Sequence, residues 1–333
     1  AGASVSSFED LIAEPGNPVA PPVVDPASIK TITFTSGTTG RPKGVLHSHF
    51  TAHATIRRSG AFWGLGEDDR LLVPSPIGHI GGSIYAFEFT WFAGATAYLM
   101  ETWDAPTAVA MIDREHLTFC AGATPFLRGI LDSARAVGSR LISLRRFVCG
   151  GASVPAALVA DAARQFENAA ISRAYGSSEV PLVCPGIRTR ADARHGQVTD
   201  GEIDAGVRIV DQAGTALVPG EEGDIEARSP SMMVGYLETD DEIGQFTQDG
   251  FFRTGDIGRV IDGRYLEITW RRKEIIIRMG ENISPLEIEN VLLQCDAIER
   301  VAVVGISNPR TGERAVAFVT LKPGRSLTFP AMQ

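Results

Sequence analysis

The chain has 333 residues, 44% of them hydrophobic, and a formal net charge of -9. That much apolar material can build more than one core, so two domains of a globular protein are expected. The acidic balance, with no basic tract longer than Arg271-Arg272-Lys273, argues against nucleic acid or an anionic membrane as the main partner and leaves a small-molecule ligand.

Residues 1–29, rich in Pro, Ala and Asp, read as an irregular lead-in. From Lys30 to about Ala174, short apolar strands (TITFT, LLVPSP, ATAYLM, HLTFCAG, RRFVCGG) alternate with helical patterns around Ala52 to Arg58 and Ala156 to Phe166. Such alternation predicts α/β layers around a largely parallel sheet. The apolar run from Gly81 to Met100 is about as long as a membrane span. Glu88 near its middle and Gly94 beyond it predict instead a buried helix, a turn and a strand, so no integral span is expected.

After Ala191 the texture changes to short strands divided by Gly-rich turns, with Asp211-Gln212-Ala213-Gly214 as a hairpin turn, and residues 190–272 read as a small β-rich subdomain. In ISPLEIENVLLQC, Ser284 as N-cap, Pro285 at the first helical position and Glu287 three after the cap predict a helix start. The strands RVAVVGIS and AVAFVTLKPG follow, so residues 273–333 read as the beginning of a small α+β domain. Cys120, Cys149, Cys184 and Cys295 show no metal-type spacing, which fits reduced thiols and a cytoplasmic location. His49 and His53 stand four apart beside His47, but no nearby Cys or acidic third ligand completes a metal set.

The stretch Thr35-Ser36-Gly37-Thr38-Thr39-Gly40-Arg41-Pro42-Lys43-Gly44 leaves the strand KTITF. Its glycines let the backbone curl and turn N–H groups toward an anion, its hydroxyls add donors, and Lys43 adds a charge, so the natural guest is a polyphosphate. A helix expected soon afterwards would add its positive end. The bland alternative is a polar strand-to-helix connection. Gly44 follows Lys43 where the P-loop pattern GxxxxGK[ST] needs a hydroxyl for magnesium, which disfavours an ordinary P-loop NTPase.

TSGTTGRPKG resembles the phosphate-binding signature of the adenylate-forming superfamily, and RAYGSSEV, FRTGD and WRRKEIIIRMGENISPLEIENVL resemble its later blocks in the right order. The resemblance runs from about Lys30 to Gly324 and points to the acyl-CoA and aryl-CoA synthetase branch. It implies a large adenylation core over residues 30–272, followed by a partial mobile C-terminal domain over residues 273–333. The implied reaction joins a small carboxylic acid to CoA with ATP and Mg2+, through an acyl-adenylate. A homodimer is allowed.

By that resemblance, Thr35, Ser36, Gly37, Thr38, Thr39, Gly40 and Lys43 hold the β- and γ-phosphates. In Ala174-Tyr175-Gly176-Ser177-Ser178-Glu179, the Tyr175 ring lies against adenine, the Ser178 hydroxyl meets the α-phosphate and Glu179 serves magnesium. Lys43, Ser178 and Glu179 are thus the implied catalytic set. Asp256 takes the ribose hydroxyls, Arg271 contacts the nucleotide, and Gly150, Gly151 and Ala152 line adenine and acyl pockets, their small size leaving room. Gly81 and Gly82 are expected to leave space too. His79 and Tyr85 stand at the acyl pocket, Lys273 at the hinge, and Gly280, Glu281 and Asn282 on the CoA side.

Two departures stand beside the match. The family's adenylation lysine near the C-terminus has no counterpart among Lys30, Lys43, Lys273 and Lys322, and the segment that precedes the phosphate loop in the family is missing. The expectation is a ligase truncated at both ends. A nucleotide-binding paralogue without efficient adenylation, and a domain that loads a carrier protein, remain the alternatives.

Overall fold

The computed structural model describes residues 22–35, 42–151, 154–272, 274–279, 281–308 and 310–327. At its centre, β3 (Arg70–Val73), β4 (Thr96–Leu99), β5 (Phe119–Gly122), β6 (Arg146–Cys149) and β7 (Ala170–Arg173) pair in parallel in the order β4-β3-β5-β6-β7. Both faces of this sheet are covered, as all-parallel sheets require. On one face Leu72, Cys120 and Phe147 meet Ile112, Leu131 and Leu158 of α4 (Ala105–Glu115), α5 (Thr124–Val137) and α6 (Ala156–Gln165). The alternate residues Leu71, Phe119 and Val148 meet Ile56 and Trp63 of α1 (His49–Trp63) on the other. Phe119, Phe147 and Phe166 are each at most 2% exposed, and full burial of such a side chain contributes about 1.5–3 kcal/mol.

The apolar run resolves into α2 (Ile80–Ser83), a π-helical turn at Ile84–Glu88 and α3 (Phe89–Ala93), stopped by Gly94 in the left-handed conformation before β4. No helix among the described residues is long and apolar enough to cross a membrane. The expected helix, turn and strand are present, but the helix is buried on one face only: Phe89 is 0% exposed and Trp91 77%.

The polyphosphate loop sits differently from the sequence expectation. β1 (Ile29–Thr35) and β2 (Lys43–Ser48) are antiparallel partners, with Thr35 opposite Lys43, and β10 (Gly235–Tyr236) pairs with the far side of β2. The loop therefore closes a β-hairpin rather than joining a strand to a helix. Val45, His47 and Ser48 are buried along β2, which keeps that segment extended until Ser48 caps α1 through a reciprocal bond pair with Thr51. The positive end of α1 consequently lies a whole strand beyond the loop.

A four-stranded antiparallel sheet, ordered β12-β11-β9-β8, joins β8 (Gly206–Val210), β9 (Gly223–Arg228), β11 (Phe252–Ile261) and β12 (Tyr265–Arg271). The Asp211 turn forms there, with its carboxylate accepting from the Ala213 and Thr215 amides. Beyond it, β13 (Ile276–Arg278), β14 (Glu281–Ile283), β15 (Ile298–Asn308) and β16 (Gly312–Leu321) form a second antiparallel sheet beside α8 (Pro285–Leu292). Ser284 caps α8 by accepting from the Glu287 amide, and Pro285 fills its first turn, as the sequence predicts.

Candidate active site

The parallel sheet positions the site. Chain order reverses between β3 and β5, and ligands of open α/β sheets sit beyond the carboxyl ends of the strands at such a switch point. A cavity of about 470 Å³ opens there, lined by Ser75 after β3, Gly122 at the end of β5, Gly150 and Gly151 after β6, and Ala174 and Tyr175 after β7. Gly176, Ser177, Ser178, His79, Gly81 and Tyr85 also line it.

After β7 the chain makes a tight loop. Tyr175 exchanges backbone hydrogen bonds with Cys184, and the Ser177 amide donates to the Val180 carbonyl. Gly176 is required because a Cβ there would come 2.4 Å from the Leu182 nitrogen. The Tyr175 hydroxyl donates to Asp256 Oδ2 at 2.6 Å, and Arg271 Nε donates to Asp256 Oδ1 at 2.7 Å. Asp256 and Arg271 face each other across β11 and β12, and Asp256 is 3% exposed. Burial, and then the Asp256 charge, push the Tyr175 phenol well above its ordinary range, so it remains a donor. The sequence placed these three residues at one nucleotide, and the structure joins them by hydrogen bonds.

A second cluster surrounds Glu179. The Tyr236 hydroxyl donates to Glu179 Oε1 at 2.8 Å, and the Tyr236 amide donates to Glu242 Oε1 at 3.0 Å. Lys43 Nζ lies 3.5 Å from Asp241 Oδ1 and 5.0 Å from the Tyr236 ring centre. Behind Ser178, His47 Nε2 bonds the Ser178 carbonyl at 2.7 Å, and its Nδ1 pairs with Thr51 Oγ1 at 3.1 Å. Burial lowers the His47 pKa against the opposing pull of that carbonyl and of the Glu179 charge. Sequence reasoning missed Tyr236, which carries no motif of its own, and noticed His47 only as a metal candidate. Both its ring nitrogens are engaged, and no group of three His, Cys, Asp or Glu residues among the described residues is arranged to hold a metal ion.

Three comparisons bear on this arrangement. A family model described as "AMP-binding enzyme" matches residues 2–237, and one described as "AMP-binding enzyme C-terminal domain" matches residues 287–331. The chain belongs to the AMP-binding enzyme family. Among curated relatives, a medium-chain fatty-acid–CoA ligase of Escherichia coli (strain K12) is 33% identical over 307 residues, covering 90% of this chain and 53% of that protein. An indoleacetate–CoA ligase of Aromatoleum aromaticum is 34% identical, covering 96% of this chain and 63% of the relative. The chain therefore spans little more than half the length of the curated relatives it matches. Of solved structures, ATP-bound MatB from Rhodopseudomonas palustris superposes with a TM-score of 0.84 at 26% identity, over 97% of this chain and 64% of that one. The amide bond synthetase McbA from Marinactinospora thermotolerans gives a TM-score of 0.81 at 29% identity, over 91% and 61% of the two chains.

Of the small residues expected to leave room, Gly81, Gly150 and Gly151 line the cavity, and a Cβ on Gly151 would meet nothing within 4 Å. A Cβ on Gly150 would meet the Ala174 carbonyl at 2.9 Å, and one on Gly82 would meet the Pro76 carbonyl at 2.0 Å, so these two also permit backbone segments to touch. His79 caps α2 by accepting from the Gly81 amide at 3.1 Å and is exposed, while Tyr85 stacks on Phe89 with ring centres 5.1 Å apart. Thr35 ends β1 and is absent from the cavity lining, although Thr31 and Thr33 contribute to it. Glu281 pairs with Arg278 in the second antiparallel sheet, away from the lining. The expected site residues Ser36, Gly37, Thr38, Thr39, Gly40, Ala152, Lys273 and Gly280, and the side chain of Asn282, lie outside the described residues.

Proposed function

We propose that the protein is an ATP-dependent carboxylic acid:CoA ligase working through an acyl-adenylate. The carrying observation is that Tyr175 and Ser178 line one cavity with an apolar side, Tyr175 being bonded to the Asp256–Arg271 pair and Ser178 standing next to Glu179, which Tyr236 orients. Asp256, fixed by Tyr175 and Arg271, offers its remaining lone pairs to vicinal hydroxyls, and the Tyr175 ring offers a face to adenine. Ser178, whose carbonyl is pinned by His47, presents its hydroxyl toward the α-phosphate.

The carboxylate oxygen of the acid attacks the α-phosphorus, the bond to the bridging oxygen breaks, and pyrophosphate leaves. The approaching anions must be neutralised, and preoriented charges do this at least cost. Lys43 supplies that charge, and the hydroxyls of the loop it follows add hydrogen-bond donors. The hard, oxygen-seeking Mg2+ fits Glu179, whose carboxylate is oriented by Tyr236, and would complete its shell with phosphate oxygens and water while neutralising phosphate charge. In the second half-reaction the CoA thiolate attacks the acyl carbon and AMP leaves.

Residues 30–272 form the adenylation core in this reading, with Lys273 as the hinge to residues 273–333 and Gly280, Glu281 and Asn282 facing CoA. The buried, unpaired Cys120, Cys149 and Cys184 support work in the reducing cytoplasm, where the protein can act as a homodimer. The test is pyrophosphate release with a panel of acids, followed by mass detection of the acyl-CoA. Acid-dependent release together with acyl-CoA supports the proposal. ATP binding with no release for any acid refutes it in favour of a nucleotide-binding paralogue, and acyl transfer only to a phosphopantetheine-bearing protein refutes CoA as acceptor.

A further inference from the structure

The apolar part of the cavity lining is built from Ala52 and Ile56 of α1, Ile80 and Ile84, Val148 of β6, and the ring of Tyr85. Tyr85 is locked in place: its ring stacks on Phe89 and lies 6.1 Å from Trp63 and 6.0 Å from Phe119. A wall of this kind gains most from an apolar guest of fixed shape.

Charge tells what the guest is not. Among the described residues, no lysine or arginine lines the cavity, but one carboxylate does, that of Glu88. Lys30 of β1 reaches Glu88 Oε2 at 2.6 Å from outside the lining. Of the two lining histidines, His47 has both ring nitrogens engaged, and His79, whose Nδ1 accepts the Gly81 amide proton, keeps a single Nε2–H donor at the exposed edge of the cavity.

We propose that the acid taken here is a monocarboxylate with an apolar body, and that Glu88, held by Lys30, turns away acids that carry a second carboxylate. The first carboxylate is drawn to the phosphate cluster, so a second one at the far end of the same molecule falls among Ile80, Ile84 and Glu88. It finds a like charge there whose counter-ion, Lys30, is already engaged, so its desolvation is not repaid.

This inference rests on the ligase reading, and the experiment separates the two. Calorimetry compares sulfamoyl adenosines carrying a hexanoyl or an adipoyl group, which mimic the adenylate and need no turnover; unacylated sulfamoyladenosine is the reference. The adipoyl compound is expected to bind at least about 30-fold more weakly than the hexanoyl one, as like-charge contact in an apolar site demands. The ratio of the two affinities is the readout. Glu88→Gln should bring it to within about 5-fold, and Lys30→Met, which leaves Glu88 uncompensated, should widen it. Equal binding of the two compounds, or a ratio that Glu88→Gln leaves unchanged, overturns the proposal. So does failure of both to outbind the unacylated reference. Discrimination between the analogues without pyrophosphate release from hexanoate and ATP sinks the ligase reading and leaves the charge filter standing.

Discussion

Replacing Asp256 by asparagine removes a charge and one acceptor while keeping the shape. In the folded chain Asp256 is 3% exposed and its two oxygens accept from Tyr175 and Arg271. A hydrogen bond to a charged group contributes about 1.5–3 kcal/mol, so loss of the Tyr175 bond costs about that much. The Arg271 side chain is 55% exposed, and solvent screening limits its pair to about 0–1 kcal/mol. Urea midpoints should therefore report a net loss of roughly 2–3 kcal/mol. Binding gives the sharper test. Two ribose hydroxyls on this carboxylate are together worth about 3 kcal/mol, so 2′,3′-dideoxy-ATP should bind the native protein about 100-fold more weakly than ATP. In Asp256→Asn the gap should shrink to about 10-fold or less, because the amide cannot accept from both hydroxyls. Calorimetric titration of both nucleotides against both proteins closes the cycle. If the substitution leaves the ratio of the two affinities at its native value, Asp256 does not hold the ribose and the nucleotide lies elsewhere.

Tyr236→Phe deletes the hydroxyl that orients Glu179 and should raise KM for Mg·ATP by roughly tenfold while leaving AMP affinity within a factor of about two; an equal loss for both nucleotides would contradict the assignment. Gly176→Ala places a methyl 2.4 Å from the Leu182 nitrogen, so the loop must shift, and a stability loss of about 1–3 kcal/mol with weakened ATP binding is expected from denaturation and titration. His47 has a pKa held below its ordinary value by burial, so between that value and the usual 6.5 the unfolded chain binds the proton and the folded one does not. Its contribution is therefore complete above about pH 6.5 and falls as the solution is acidified through that window. His47→Gln keeps a donor for the Ser178 carbonyl and should flatten the stability curve just below about pH 6.5, and an unchanged acid limb in the variant would exclude His47 as its source.

The layered core was legible because its signal is local. Leu71 and Leu72, or Phe147 and Val148, point to opposite covered faces, and outside that core Ser284 marks the start of α8 just as locally. The hairpin was not legible, since a polar loop reads alike whether it leads to a strand or a helix. What holds β2 extended is burial of His47 against a carbonyl 131 residues away. Tyr236 escaped for the same reason, its partner Glu179 lying 57 residues earlier. The backbone contacts at Gly82 and Gly150 were not legible, because spacing does not distinguish room for a ligand from contact between backbones. Tyr175, Asp256 and Arg271 were found only through four ordered blocks resembling one family; singly, each reads as a turn, a cap or a solvated charge.

The strand that anchors the far end of the polyphosphate loop is also the strand that carries Tyr236 alongside it. The Leu237 amide donates to the Gly44 carbonyl at 2.7 Å and the Val234 amide to the Leu46 carbonyl at 2.9 Å, while the Met233 amide reaches the Glu179 carbonyl at 2.8 Å. Lys43 and Glu179 are thus tied to one strand through a few peptide groups. In the proposed site, triphosphate grip and cation seat are then mechanically one part, and a pull that displaces either is expected to move both.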